Sequence, residues 1–457
     1  MGLIGIYNHP EAAKMAYFGL YAQQHRGQES CGILTWDGVR QADYRGLGLV
    51  PDVFDEEILN KLPGRIAMGH VRYGNKRQRL LRNAEPFTVR HGDMDLAVAH
   101  NGALVNGKLL RRKLESEGAI FHTDTDSELM VHLIVLHLSK HGLVEAVRRA
   151  CLEVEGAYCF LILANDTLIA VRDPYGVRPL SLGRTGDTMV VASETCALDL
   201  LDAGDLGTIE PGEMLVIDQN GMRRESLGST APRRHCIFEL VYFARPDSIV
   251  FGEEVYSCRK RMGNQMSIES TPEADFVLPF PDSGVYCALG FAQQSGLPYE
   301  HAIIRNHYVG RTFIQPTQEM RNFGVRVKLN PVRGFLRGKR VILADDSIVR
   351  GTTIRTRARH LRELGVKEVH FRVSSPPVAH PCFYGVDFPS RKELIASSQS
   401  KDEIEKFIGL DSLEYISLDG LRKTVTRPDD FCYACFDGNY PIRCPGCDPD
   451  YNAGEED

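Results

Sequence analysis

Val341-Ile342-Leu343-Ala344-Asp345-Asp346-Ser347-Ile348-Val349-Arg350-Gly351-Thr352-Thr353 opens on four apolar residues in a row, the pattern of a strand covered on both faces. Two carboxylates sit where the strand ends, and a short loop of Ser, Gly and Thr follows. Ile354-Arg355-Thr356-Arg357-Ala358-Arg359-His360-Leu361 then resumes with apolar residues at helical spacing. A strand–loop–helix of this kind points backbone N–H groups and Thr hydroxyls at an anion, and the helix start adds positive partial charge. Adjacent Asp345 and Asp346 can take ribose hydroxyls or a hard divalent cation, which prefers oxygen ligands. An isolated Asp-Asp pair is ordinarily solvated surface. The thirteen residues in this order carry the weight.

The same rhythm extends outward from about residue 236. Phe276-Val277-Leu278 reads as a strand, Pro281-Asp282-Ser283-Gly284 as the turn after it, Val285 to Ser295 as a helix and Val369 to Val373 as a further strand. Alternation of this sort predicts an α/β unit with a mainly parallel sheet and ligands at the carboxyl ends of its strands. Before it, residues 1–230 read as α+β. Short strands (Leu96–Ala99, Tyr158–Leu163, Thr188–Ala192) mix with amphipathic helices over Ala12–Gln24, Ser127–Lys140 and Leu143–Val154. Pro211-Gly212 and Asp218-Gln219-Asn220-Gly221 are turn signals. Glu225 to Arg234 is the linker candidate, dividing the chain into 1–230 and 231–457.

With 457 residues, 43% hydrophobic and 25% charged, the chain has room for two or three ordinary globular domains. Its net charge of −6 argues against nucleic-acid or anionic-membrane partners. No apolar run has the length of a membrane span, and the amino terminus lacks a basic, secretory-type start. The cytoplasm is the expected location. Twelve cysteines without export signals read as metal ligands or small core residues. Cys31, Cys151, Cys159, Cys196, Cys258 and Cys287 lie in apolar or mixed surroundings and are expected in the core.

The segment 341–353 resembles the signature of the type I phosphoribosyltransferases, which bind 5-phosphoribosyl-1-diphosphate (PRPP). The resemblance implies that Asp345, Asp346, Ser347, Ile348, Val349, Arg350, Gly351, Thr352 and Thr353 hold PRPP, and that Ser283 joins Asp345 and Asp346 around Mg²⁺. Tyr308-Val309-Gly310-Arg311-Thr312-Phe313-Ile314-Gln315-Pro316 resembles the family's closing loop and Lys328 to Arg333 its edge. Arg311, Lys328 and Arg333 are therefore expected pyrophosphate partners.

The first half resembles the glutaminase domain of the N-terminal-nucleophile amidotransferases, an αββα sandwich. The motifs are Gly2–Ile6, Gln24-His25-Arg26-Gly27-Gln28-Glu29-Ser30, Gly69-His70-Val71-Arg72-Tyr73, His100-Asn101-Gly102 and Asp124-Thr125-Asp126-Ser127-Glu128. By resemblance Asn101 and Gly102 form the oxyanion hole, Arg72 takes the glutamine α-carboxylate and Asp126 its ammonium. Arg26 and Gly27 shape the loop around the nucleophile. Asp173 to Leu180 and Ser193-Glu194-Thr195 match scaffold and interdomain segments. One departure matters most: the family has Cys immediately before the Gly matched by Gly2, and here Met1 stands there. A thioether is no acyl acceptor, and Cys31 lies in a hydrophobic stretch without a terminal amine beside it as base. The expectation is an inactive glutaminase, whether by substitution, by a lost residue, by natural reliance on free ammonia or in a non-catalytic homologue. Gly74-Asn75-Lys76 is a milder departure, where the family is rich in Ser and Thr.

Together the two halves resemble the amidophosphoribosyltransferase family, which opens purine synthesis by joining nitrogen to PRPP. That implies glutamine or ammonia as nitrogen source, inhibition by purine nucleotides and a homo-tetramer or dimer. Spacing alone makes Cys432, Cys435, Cys444 and Cys447 a zinc candidate, two C-x-x-C pairs. The surroundings of Cys236 and Cys382 resemble the cluster-containing members instead, implying a [4Fe–4S] centre on Cys236, Cys382, Cys432 and Cys435. A PRPP- or nucleotide-sensing regulatory protein is the alternative reading, disfavoured by the absence of a basic patch. A sugar-phosphate aminating or asparagine-forming enzyme is disfavoured by the PRPP loop.

Overall fold

The computed structural model describes residues 1–74, 80–306, 329–388 and 390–444. Arg311, Lys328 and Cys447, together with the segment 308–316, lie outside them, as do Asn75 and Lys76.

Two antiparallel sheets fill the first half. The seven-stranded sheet runs in the order Gly204–Thr208, Ser181–Thr185, Thr188–Ala192, Gly2–Tyr7, Ile66–Arg72, Ser30–Trp36 and Gln41–Leu47. The six-stranded sheet runs Gly221–Ser226, Glu213–Asp218, Thr167–Arg172, Gly156–Ala164, Met94–Leu104 and Phe87–His91. Successive side chains of a strand leave by opposite faces. In the first strand Leu3 therefore packs between the sheets with Leu34, Met68, Ala97 and Leu161. Its neighbours Ile4 and Ile6 pack outward with Leu20 of helix Ala12–Ala22. On the far side Val98, Phe160 and Ile162 meet Met130, Ile134 and Val147 of helices Asp126–Leu138 and Leu143–Glu153. The result is the αββα sandwich that the resemblance implied. Helix Ala12–Ala22 stops two residues earlier than its periodicity predicts, because Gln24–Arg26 tightens into a 3₁₀ turn. The predicted turn at Gln219-Asn220 closes the hairpin that pairs Asp218 with Gly221.

The second half carries a four-stranded, wholly parallel sheet in the order Phe276–Pro279, Arg340–Asp345, Glu368–Val373, Ser412–Tyr415. The run 341–344 is apolar throughout because helices cover both faces. Val341 and Leu343 pack with Ile354, Ala358 and Leu361 of helix Thr352–Glu363. Ile342 and Ala344 face Met262 of helix Val255–Glu269 and Phe291 of helix Val285–Ser295. Burying each of the larger aliphatic and aromatic side chains here contributes about 1.5–3 kcal/mol. The strand continues through Asp345, so the first carboxylate is its last residue and the helix begins at Thr352, two residues before the predicted start. All six cysteines expected in the core are buried. Among the described residues no helix is long and apolar enough to cross a membrane.

Candidate active site

Asp345 and Asp346 emerge at the carboxyl end of the central parallel strand, each only 6% exposed. Ser283, in the turn after the neighbouring strand, donates to Asp345 Oδ1 at 2.9 Å, and the Asp346 N–H donates to the same oxygen at 2.8 Å. Ser347 donates to Asp346. Burial, and then the charge of Asp346, push Asp345 well above the usual carboxylate range; burial raises Asp346 as well. Two enclosed acids in this state favour a cation or a shared proton between them. Among the described residues no group of three or more His, Cys, Asp or Glu side chains is gathered to hold a metal ion. An all-oxygen pair without a third protein acid suits Mg²⁺, which is commonly held by one or two carboxylates plus substrate phosphates. The loop Ser347–Thr353 borders a depression of about 270 Å³ that Asp345 also lines. Arg350 also lines it and pairs with Glu393, and Arg333 is exposed in the first turn of the short helix Arg333–Leu336.

Some of the glutamine-side residues converge equally well. Arg26 Nε donates to the Met1 carbonyl at 2.9 Å. Gly27 lies so close to the Arg72 backbone that a Cβ there would sit 2.6 Å from its carbonyl carbon. Asn101 is 2% exposed, and its Nδ2 has no partner, an enclosed donor left over. Gly102 has φ +152°, and a Cβ on it would fall 1.9 Å from the Ala157 oxygen, so no other residue fits the site unstrained. Arg72 Nη1 donates to Glu85 at 2.9 Å while its Nε has no partner. Asp126 accepts from the Leu104 N–H at 3.1 Å, and burial pushes it up to about 6. His100, held to about 3 by burial, is neutral beside it. The terminal amine at Met1 is pushed well below its ordinary value by burial and by Arg26, Arg178 and Arg72. Cys31 is 1% exposed in the strand Ser30–Trp36, and burial raises its thiol to about 12, which removes it as a nucleophile.

A cavity of about 440 Å³ touches both ends. His25 and Tyr73 line it on the glutamine side, and Ser283, Asp346 and Ser347 on the other, with Tyr242 and Phe243 between. Below it lies a charge network that the sequence reading missed. Glu239 accepts from Arg26 and from Arg178 Nη1, the latter at 2.8 Å. Glu194 accepts from Arg26, from His25 at 2.7 Å and from Ser248 at 2.8 Å. Burial works against both carboxylates, yet the flanking cations hold each below its usual range. The available signal was a lone acid inside the apolar run Ile237-Phe238-Glu239-Leu240-Val241, and Glu85 before Pro86 had none.

Cys236, Cys382, Cys432 and Cys435 line one small apolar cavity of about 20 Å³. Cys236 and Cys432 are register partners in a two-stranded parallel pair, and Tyr384 N donates to Cys382 Sγ at 3.4 Å. Burial raises Cys236 to about 12 and Cys435 well above its ordinary value. Nearby thiol charge adds to burial in raising Cys435, and among the described residues these cysteines are not gathered as a metal-holding group. Cys444 lies outside this lining, and Cys447 lies outside the described residues.

A family profile described as a glutamine amidotransferase domain matches residues 56–200. Amidophosphoribosyltransferase 1, chloroplastic, of Arabidopsis thaliana is 48% identical over 445 residues, 97% of this chain and 78% of that protein. The chain belongs to the amidophosphoribosyltransferase family. The amidophosphoribosyltransferase of Bacillus subtilis is 47% identical over 447 residues, 96% of this chain and 94% of its own. The solved glutamine PRPP amidotransferase of B. subtilis, complexed with ADP and GMP, aligns with TM-score 0.93 at 45% identity over 98% of each chain. As an amidophosphoribosyltransferase the chain is a pentosyltransferase, an antiparallel glutaminase sandwich joined to a parallel-sheet phosphoribosyltransferase unit.

Proposed function

We propose that this chain forms 5-phosphoribosylamine and pyrophosphate from PRPP and ammonia, the opening step of purine synthesis, and that its glutaminase half (1–230) hydrolyses no glutamine. Ammonia nitrogen bonds to the anomeric carbon as the bond from that carbon to the pyrophosphate oxygen breaks. Pyrophosphate leaves with the electron pair, and the nitrogen sheds a proton to solvent. The half 231–457 holds PRPP on Asp345, Asp346 and Ser347–Thr353, with Arg311 and Lys328 as further partners from outside the described residues. Asp345, Asp346 and Ser283 would hold Mg²⁺, which would supply charge neutralisation on the leaving group. The observation that carries the reading is the 440 Å³ cavity joining Tyr73, next to Arg72, to Asp346.

On the glutamine side Arg72 and Asp126 fit the two ends of an α-amino acid, and Asn101 and Gly102 fit an oxyanion. What is missing is the acyl acceptor: the residue before Gly2 is methionine, whatever precedes it in a longer chain. Cys236, Cys382, Cys432 and Cys435 would hold a [4Fe–4S] cluster that staples the two halves and takes no part in the reaction. Purine nucleotides as inhibitors and a homo-oligomer, tetramer or dimer, complete the proposal, supported by the nucleotide complex of the B. subtilis relative for the first.

The deciding experiment follows pyrophosphate release from Mg–PRPP at high pH with ammonium or with glutamine. Release with ammonium alone is expected. Equal rates with both nitrogen sources overturn the glutaminase claim, and no release with either overturns the transferase claim.

A further inference from the structure

Helix Thr352–Glu363 starts in the phosphate loop and carries Thr352, Arg355, Thr356 and Arg359 at i, i+3, i+4 and i+7, which places them on one face. That face and Lys406 and Phe407 of the neighbouring helix Lys401–Ile408 line an open groove of about 600 Å³. Thr352 also lines the 270 Å³ depression of the loop, so groove and loop are contiguous. At the rise of an α-helix, Arg359 stands about 10 Å beyond Thr352.

The groove is of one sign. No Asp or Glu is among its lining residues, while Arg355, Arg359 and Lys406 are exposed there. Arg362, also on the lining, is neutralised by Asp411. Among the described residues, the acid at ion-pair distance from Arg359 is Glu363, at 3.8 Å. Glu403, a turn from Lys406, is spent on the Ser400 cap. Among the described residues no carboxylate lies at ion-pair distance from Arg355, which instead sits 4.4 Å over the Phe407 ring. On a chain of net charge −6 this is a local reversal of sign.

We infer that this groove is an approach subsite for the phosphorylated substrate, gathering the polyanion before it reaches the Asp345–Thr353 loop. The inference rests on the PRPP reading above. A substrate bearing a phosphate and a diphosphate is repelled by the chain as a whole. A contiguous cleft of opposite sign raises its encounter rate, by roughly 10–1,000-fold in steered associations, and salt removes the effect.

The test is an Arg359→Gln/Lys406→Gln double variant, which leaves Arg355 and its ring contact in place. A Lys14→Gln/Lys61→Gln variant, with the same change in net charge elsewhere, is the control. Ammonium-dependent pyrophosphate release is followed with PRPP varied, from about 20 to about 300 mM salt, a range over which screening lengths fall severalfold. The double variant is expected to lose roughly five- to tenfold in kcat/KM for PRPP at the low end, to converge with the parent at the high end, and to keep kcat. Equal salt slopes for the double variant, control and parent overturn the inference while leaving the proposed function intact. Calorimetry of the parent with Mg–PRPP separates the two: absence of binding there removes the proposed function, and this inference with it.

Discussion

Arg26 and Glu239 stand 213 positions apart and meet in a two-bond ion pair, at 2.7 and 3.0 Å, with at most 1% exposure on either side. The same guanidinium holds the Met1 carbonyl, so the residue before Gly2 is tied to the second half of the chain. A buried pair of this kind is weak evidence of net stabilisation, but removing one partner strands the other. Glu239→Ala is expected to lower stability by about 3–5 kcal/mol, read as a shift in the urea midpoint. A loss below about 1 kcal/mol, the size of a surface pair, would mean that water reaches the network.

If the proposed lack of glutaminase activity is right, Met1→Cys, in a protein whose first residue is that cysteine, should create glutamine-dependent activity. The enclosed amine, the unpartnered Asn101 Nδ2 and neutral His100 are already in place. Adding Asn101→Ala to that variant should lower glutamate formation by roughly 10²–10³-fold, the usual effect of losing one oxyanion donor. Failure of Met1→Cys to release any glutamate would mean that more than the thiol has been lost.

Glutamine binding should follow the ionisation of Asp126, whose folded value is raised to about 6. Above that pH the carboxylate is charged and attracts the α-ammonium; below it the carboxyl is neutral and the attraction fades. From pH 7.5 to 5.5 the ionised fraction drops roughly fourfold, and calorimetric affinity for L-glutamine should drop in step. Asp126→Asn should bind weakly at both pH values. A pH-independent affinity in the parent would sever Asp126 from the ammonium.

Asp345→Asn should separate function from stability. Burial and the neighbouring Asp346 make its ionised form unfavourable in the fold, since its pKa there lies well above the unfolded value. That penalty is absent below the unfolded pKa and grows as pH rises. At neutral pH and without Mg²⁺, a neutral isostere should therefore raise thermal stability by about 1–2 kcal/mol. Ammonium-dependent activity should fall at least about 100-fold as charge stabilisation is lost. A melting temperature that drops together with activity would point to a purely structural acid.

Cys382→Ser should reduce bound iron and sulfide after anaerobic reconstitution and weaken brown absorbance, while Cys444→Ser should leave both unchanged. Retention of full iron by Cys382→Ser would remove that residue from the ligand set.

Much of this was legible locally. The strand, acid pair, loop and helix at 340–363 follow from residue order, because apolar runs and 3.6-residue spacing are settled by neighbours in the chain. Helix ends shifted by a few residues where a 3₁₀ turn or an earlier loop exit intervened. Glu85 and Glu239 were illegible, since nothing beside them in the chain names the arginine that will neutralise them.

The identity of the residue before Gly2, the strand–loop–helix of residues 341–361 and the two-part architecture could be read without coordinates, for each depends on short-range pattern and side-chain chemistry. Folding alone put Tyr73 and Asp346 on one cavity, set Cys236 beside Cys432, and turned an ordinary acid at 239 into the bridge between halves. Those pairings arise because buried charge and buried thiols must find complements, and the partner that packing delivers lies hundreds of residues away.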